Sequence, residues 1–143
     1  MDLQSFFLEN IKGHETEKVI ISNRFLGKDQ KPIPFEIKAI TEEENTQIKN
    51  ACKKRIKQKY GQTTIETDQD LYQAKLIVAC TVFPDFKNAD LIQSWKPRGV
   101  FTPEELVSKM LRPGEFTELL LKIQAINGFD EEVEEVKEEI KKP

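Results

Sequence analysis

The sequence predicts an α+β fold, mainly α, in which an N-terminal β-hairpin is followed by a compact bundle of about four to five helices. Three observations predict it. Residues 33–39 alternate apolar and polar side chains at period two, the signature of a half-buried strand. Thr41, Asp68, Asn88 and Thr102 each stand just before an apolar run, where a helix start needs an oxygen acceptor for its free amides. Residues 82–129 hold three short apolar helices between prolines and glycines, with no catalytic residue set among them.

The elements follow in order. Residues 2–10 form a short helix with Leu3, Phe6 and Phe7 on one side, too short to be stable without docking on something. Residues 18–26 read as a strand, because Val19, Ile20 and Ile21 are β-branched and Phe25 and Leu26 follow. Gly27 to Lys31 is a turn, and Ile33, Phe35, Ile37 and Ala39 line one face of the returning strand. Pro32 and Pro34 cannot donate to a ladder, so that strand starts late or lies at an edge. A lone hairpin is marginal in water and needs the helices or a second copy to cover it.

Thr41 with Glu44 is a capping box, and the helix it opens is expected to run to Tyr60 and stop at Gly61, with 61–66 as loop. Its apolar stripe is narrow: Ile48, Ala51, Cys52, Ile56, Tyr60. The next helix runs from the Asp68 cap to Phe83 with little polar face, which makes it the central helix, and Pro84 ends it. Asn88 caps a short helix carrying Leu91, Ile92 and Trp95. Thr102-Pro103-Glu104-Glu105 opens another with Leu106, Val107, Met110 and Leu111. After Pro113-Gly114 comes a last core helix with Phe116, Leu119, Leu120, Ile123 and Ile126, closed by Gly128 at C′. Residues 1–129 thus read as a single domain. Residues 130–143 are an acidic helical or frayed tail with a thin seam of Val133, Val136 and Ile140.

Composition narrows function. Hydrophobic residues are 38% and charged residues 33% of 143, so the core is modest and the surface heavily solvated. The net charge of −3 gives the whole chain no electrostatic reason to bind nucleic acid. One histidine and two cysteines cannot supply the four ligands of a zinc site, and Cys52 and Cys80 read as small core residues. Phe6, Phe7 and Leu8 are too few for a signal h-region, and no apolar run reaches the length of a membrane span. A cytoplasmic protein with reduced thiols is expected.

Each constellation has a plain alternative. Lys49, Lys53, Lys54, Arg55, Lys57 and Lys59 form either a phosphate-contacting helix or a solvated helix face; without an accompanying nucleic-acid motif, the solvated face is preferred. His14 has no triad partner at a known spacing and reads as connector. Asp85, Asp90, Glu104 and Glu105 sit where caps and first turns want acids, which explains them without catalysis. Trp95, Phe86 and Phe101 line a small pocket, present a patch, or pack in the core, and core packing is preferred. The acidic tail is either a docking helix or a solubilising end.

Four pieces in this order resemble the XkdN-like phage tail assembly chaperones of contractile-tailed phages and defective prophages. They are the hairpin end Pro34-Phe35-Glu36-Ile37-Lys38-Ala39-Ile40-Thr41, the helix start Thr41-Glu42-Glu43-Glu44, Phe83-Pro84-Asp85-Phe86-Lys87-Asn88-Ala89-Asp90-Leu91, and Met110-Leu111-Arg112-Pro113-Gly114-Glu115-Phe116 through Ile126-Asn127-Gly128-Phe129. The resemblance spans residues 1–130 and leaves out the acidic tail. It implies a non-enzymatic protein without cofactors that binds the tape measure protein and keeps it soluble before tail tube subunits polymerise. It implies a host-cytoplasmic protein, absent from the mature virion. In many related chaperones a programmed frameshift near the C-terminus adds a second domain that recruits tail tube protein, and by analogy such an extension would begin in the acidic tail here. The candidate partner or self-association residues are Phe6, Phe7, Phe35, Ile37, Trp95, Val133, Val136 and Ile140; a homo-oligomer is among the expected partners. The rival readings are a nucleic-acid-binding phage regulator using the 49–59 helix and a minor structural tail protein.

Overall fold

A computed structural model of the chain describes residues 2–11 and 16–129. The fold is α+β and mainly α, with five α-helices and a small three-stranded sheet among the described residues. Strand β1 (Thr16–Val19) pairs antiparallel with β2 (Phe35–Lys38), with Val19 opposite Phe35 and Thr16 opposite Lys38. The predicted hairpin is therefore present, but its first strand leaves the ladder at Val19 rather than continuing to Leu26. Ile21 and Ser22 turn into the core instead, and the ladder resumes only as the Leu26–Pro32 bridge at the tip. The Ser22 hydroxyl accepts from the Arg24 amide at 3.1 Å, holding this bend.

Helix α1 (Glu42–Ala51) starts where the capping box places it, with the Thr41 hydroxyl accepting from the Glu44 amide at 3.2 Å. It does not run to Tyr60. It ends at Cys52, and residues 53–67 form an antiparallel ribbon of β3 (Lys53–Lys57) and β4 (Thr63–Thr67). A continued helix would stack Lys49 on Lys53, Lys53 on Lys57 and Arg55 on Lys59, like-charge pairs at the spacing where they repel. The ribbon instead sets Lys54 opposite Glu66 and Arg55 opposite Ile65, and gives the β-branched 63–67 run its preferred backbone. Tyr60 and Gly61 turn the chain with φ of 69° and 74°, so the glycine read as a helix stop is half of a ribbon turn.

Helix α2 (Gln69–Cys80) is capped by Asp68, which accepts from the Leu71 amide at 3.1 Å, and it is the central helix, packed against α1, α4 and α5. It stops at Cys80, three residues before the expected end. Thr81–Phe83 form β5, which pairs antiparallel with β2 across a bulge at Glu36/Ile37, making β2 the middle strand. Helices α3 (Ala89–Ser94), α4 (Pro103–Met110) and α5 (Pro113–Ile126) start at Asn88, Thr102 and Arg112, as their prolines and caps require. Ile37, Leu76, Ile77, Phe86, Leu106, Val107, Leu119 and Ile123 are fully buried in one continuous core.

Two polar contacts tie the layers. The Tyr72 hydroxyl donates to Asn45 Oδ1 at 2.6 Å, which explains a buried asparagine on the inner face of α1. Asn127, just past α5, accepts from the Ile40 amide at 2.8 Å and donates to the Ile123 carbonyl at 2.8 Å. Gly128 then takes φ 85° at C′. Cys52 and Cys80 are free and buried, and burial pushes the Cys80 thiol up to about 11.

Candidate functional site

Two apolar features stand out among the described residues, apart from scattered exposed side chains such as Ile65, Phe101 and Leu121. The first is the N-terminal arm, residues 2–11. It forms two 3-10 turns, Leu3–Phe6 and Leu8–Asn10, rather than the predicted single helix. The Asp2 carboxylate accepts from the Gln4 amide at 3.0 Å, and the Asn10 side-chain amide donates to the Gln4 carbonyl at 2.7 Å. These contacts fold the arm on itself and turn its large side chains outward. Phe6 is 77% exposed and Leu8 88%, and no residue of either turn is buried.

The second is a hollow of about 140 Å³ beside the three-stranded sheet. Phe25 and Ile33 reach it from the tip of the β1–β2 connection, Phe35 from β2, Phe83 and Pro84 from the end of β5, and Met110 from the end of α4. No polar side chain lines it. Its rim is held by Arg24, whose guanidinium stacks 4.9 Å from the Phe25 ring centroid and donates to the Met110 carbonyl at 2.8 Å. The same guanidinium forms a two-point ion pair with Glu115 at the start of α5. The hydrogen bond from Arg24 is the main reason that the Glu115 carboxyl is held down to about 2. The hollow thus has apolar walls and a fixed polar rim, which suits it to an apolar side chain and not to a charged one.

A third surface is the β3–β4 ribbon. Lys53, Arg55 and Lys57 share one face with Ile65 and are all exposed, and Tyr60 at the tip is 98% exposed. The basic cluster therefore lies on a ribbon and its turn, with only Lys49 on an α-helix, which removes the helix that the nucleic-acid reading requires. A fourth surface, an open groove of about 330 Å³ between α1 and α2, has the Lys75–Glu104 ion pair, 3.1 Å apart, among its lining side chains.

The sequence-predicted residues fall in different settings. Phe6 and Phe7 stand in the exposed arm. Phe35 is buried in β2 and forms a wall of the hollow. Ile37, two residues on, is fully buried and offers no side-chain surface to a partner. Trp95 is half-buried against the core at the end of α3, away from the hollow. Phe86 is core, as expected, but Phe101 is 65% exposed, so the aromatic trio does not form one cluster. His14, the acidic tail and its seam of Val133, Val136 and Ile140 lie outside the described residues. The reading missed Phe25, Ile33, Phe83, Pro84 and Met110 as a site, because three separate chain segments bring them together. Among the described residues no helix is long and apolar enough to cross a membrane.

Residues 3–141 match the protein family described as "Phage XkdN-like tail assembly chaperone protein, TAC". The chain is 35% identical to the phage-like element PBSX protein XkdN of Bacillus subtilis (strain 168), over 96% of this chain and 92% of that protein. It is 36% identical to the uncharacterized protein YqbN of the same strain, over 96% of this chain and 91% of that one. The crystal structure of YqbN superimposes with a TM-score of 0.76 at 30% identity, covering 91% of this chain and 98% of the other.

Proposed function

The chain belongs to the XkdN-like phage tail assembly chaperone family, and from that premise we propose that it binds the tape measure protein and keeps it soluble until the tail tube polymerises. The observation that carries this reading is the pairing of a strongly charged surface with apolar features, the outward-facing arm and the apolar hollow. A long tape measure chain with apolar surface aggregates before assembly. Small apolar contacts from several chaperone copies cover that surface, and each is weak enough to be displaced as tube subunits arrive. The role is non-enzymatic, exerted in the host cytoplasm, and leaves the chaperone out of the finished particle. A longer frameshifted form that recruits tube protein fits the same scheme.

Co-expression tests the proposal. A tape measure chain from the same tail gene cluster should shift from the pellet to the soluble fraction when this protein is present, and the two should co-purify. A soluble fraction that does not change, or this protein in purified virions at stoichiometric level, would overturn it.

A further inference from the structure

We propose that the basic face of the β3–β4 ribbon is the docking surface for the chain's own acidic segment, residues 130–143, which shields it from other anions. The inference goes beyond the chaperone reading and uses neither the arm nor the hollow on which that reading rests.

The ribbon is a surface in need of a cover. Its two strands pack on each other rather than on the helical core, and the Asp68 amide ties its base by donating to the Cys52 carbonyl at 2.8 Å. A two-stranded ribbon with nothing packed on it is marginal in water. Lys53, Arg55 and Lys57 stand on one face, opposite Thr67, Ile65 and Thr63. That face gathers three cations and no acid around an isoleucine that is 64% exposed. Among the described residues the ion pairs are Arg24–Glu115 and Lys75–Glu104, and neither involves the ribbon.

Residues 130–143 carry the complementary chemistry. They hold seven acidic side chains against three lysines, interleaved with Val133 and Val136. Their carboxylates match the cations of the face, and the valines match Ile65. The starting point is also within reach. Asn127 accepts from the Ile40 amide, and Phe129 lines a hollow with Thr41 and Glu42, so the segment begins beside the first turn of α1. The ten residues of α1 span about 15 Å to the base of the ribbon, and the five residues of β3 add at most about 17 Å. Glu139 is ten residues beyond Phe129, so it reaches up to roughly 33 Å from it.

The tether decides between occupants. Exposed ion pairs are individually weak, so an untethered acidic partner gains little from a face of three cations. A segment of the same chain meets that face at about millimolar effective concentration, well above a second copy or a nucleic acid in dilute solution.

Carbodiimide cross-linking of the purified full chain tests this, because the reagent joins a carboxylate to a contacting lysine amine as an amide. Peptide mapping should find the glutamates of 131–139 linked to Lys53 and Lys57 at least about fivefold more than to the exposed Lys28, Lys96 and Lys109. Raising salt from about 0.1 M to about 1 M shortens the screening length from about 10 Å to about 3 Å and should remove most of that excess. Arg55→Glu should cut the ribbon links about fivefold while Arg55→Lys keeps them, both with an unchanged circular dichroism spectrum because Arg55 is exposed. In a mixture of isotope-labelled and unlabelled protein the links should stay within one chain. Links spread evenly over all exposed lysines, ribbon links that persist at high salt or in Arg55→Glu, or links between labelled and unlabelled chains would each overturn the proposal. No client is present, so each of these outcomes leaves the chaperone reading untouched.

Discussion

Replacing Asn127 by alanine should destabilise the protein by about 2–3 kcal/mol, although the residue lies after the last helix. Its side-chain oxygen accepts from the Ile40 amide at 2.8 Å, and its side-chain nitrogen donates to the Ile123 carbonyl at 2.8 Å and lies 3.6 Å from the Cys80 sulfur. Two good hydrogen bonds contribute roughly 0.5–1.5 kcal/mol each, and the half-buried Ile40 amide left without a partner adds a desolvation cost of about 1 kcal/mol. At this chain length 1 kcal/mol corresponds to about 2–4 °C in melting temperature, so the midpoint should fall by roughly 5–10 °C. Asn127→Asp keeps the acceptor for Ile40 but puts a carboxylate oxygen against the Ile123 carbonyl at the negative end of α5, so at neutral pH it should cost at least as much as alanine. Thermal denaturation followed by circular dichroism reads both. If Asn127→Ala melts within about 1 °C of the wild type, or if Asp is tolerated as well as the native asparagine, the clamp between the hairpin exit and α5 is not what holds these segments together.

Three further outcomes are expected. Glu115→Gln should lower the urea midpoint at neutral pH; a carboxyl depressed in the folded state to about 2 contributes stability above its ordinary range and loses it as pH falls, so the difference from wild type should shrink between about pH 4.5 and 2. A difference as large at pH 2 as at pH 7 would refute the ion pair's role. Phe86→Ala should cost about 3–5 kcal/mol in urea unfolding, since the ring is fully buried and packs tilted on Phe35 at 6.5 Å between centroids, whereas Phe86→Leu should cost under about 2 kcal/mol. Tyr60→Gly should stabilise the protein by roughly 0.5 kcal/mol by relieving a left-handed backbone at an exposed side chain; in a helix the same change would destabilise, so the sign of the shift in melting temperature distinguishes ribbon from helix.

Helix starts were readable because their causes are local. Thr41, Asp68, Asn88 and Thr102 each satisfy the amide three residues on, and nothing distant alters that need. Helix ends were less readable. The 53–60 run has helix formers and a plausible stripe, yet it pairs with 63–67, and Thr81–Phe83 leaves a helical pattern to join β2. In both cases the deciding partner is another strand, and pairing energy outweighs a propensity difference of a few tenths of a kcal/mol per residue.

The candidate site divides in the same way. Phe6 and Phe7 were legible because a short apolar segment with no room for its own core announces unmet burial. Ile37 carried the same apolar signal, but the middle position of β2 buries it under α5, and only the strand order β1-β2-β5 reveals this. Phe35 was singled out, but the hollow it helps to wall was not legible, since Phe25, Phe35, Phe83 and Met110 are far apart in the chain. By itself the sequence determined the α+β class, the helix starts and the family resemblance, all of which rest on residue type and near-neighbour spacing. The tertiary structure decided which apolar residues remain accessible and which converge, because burial and cavity shape depend on what packs across the fold.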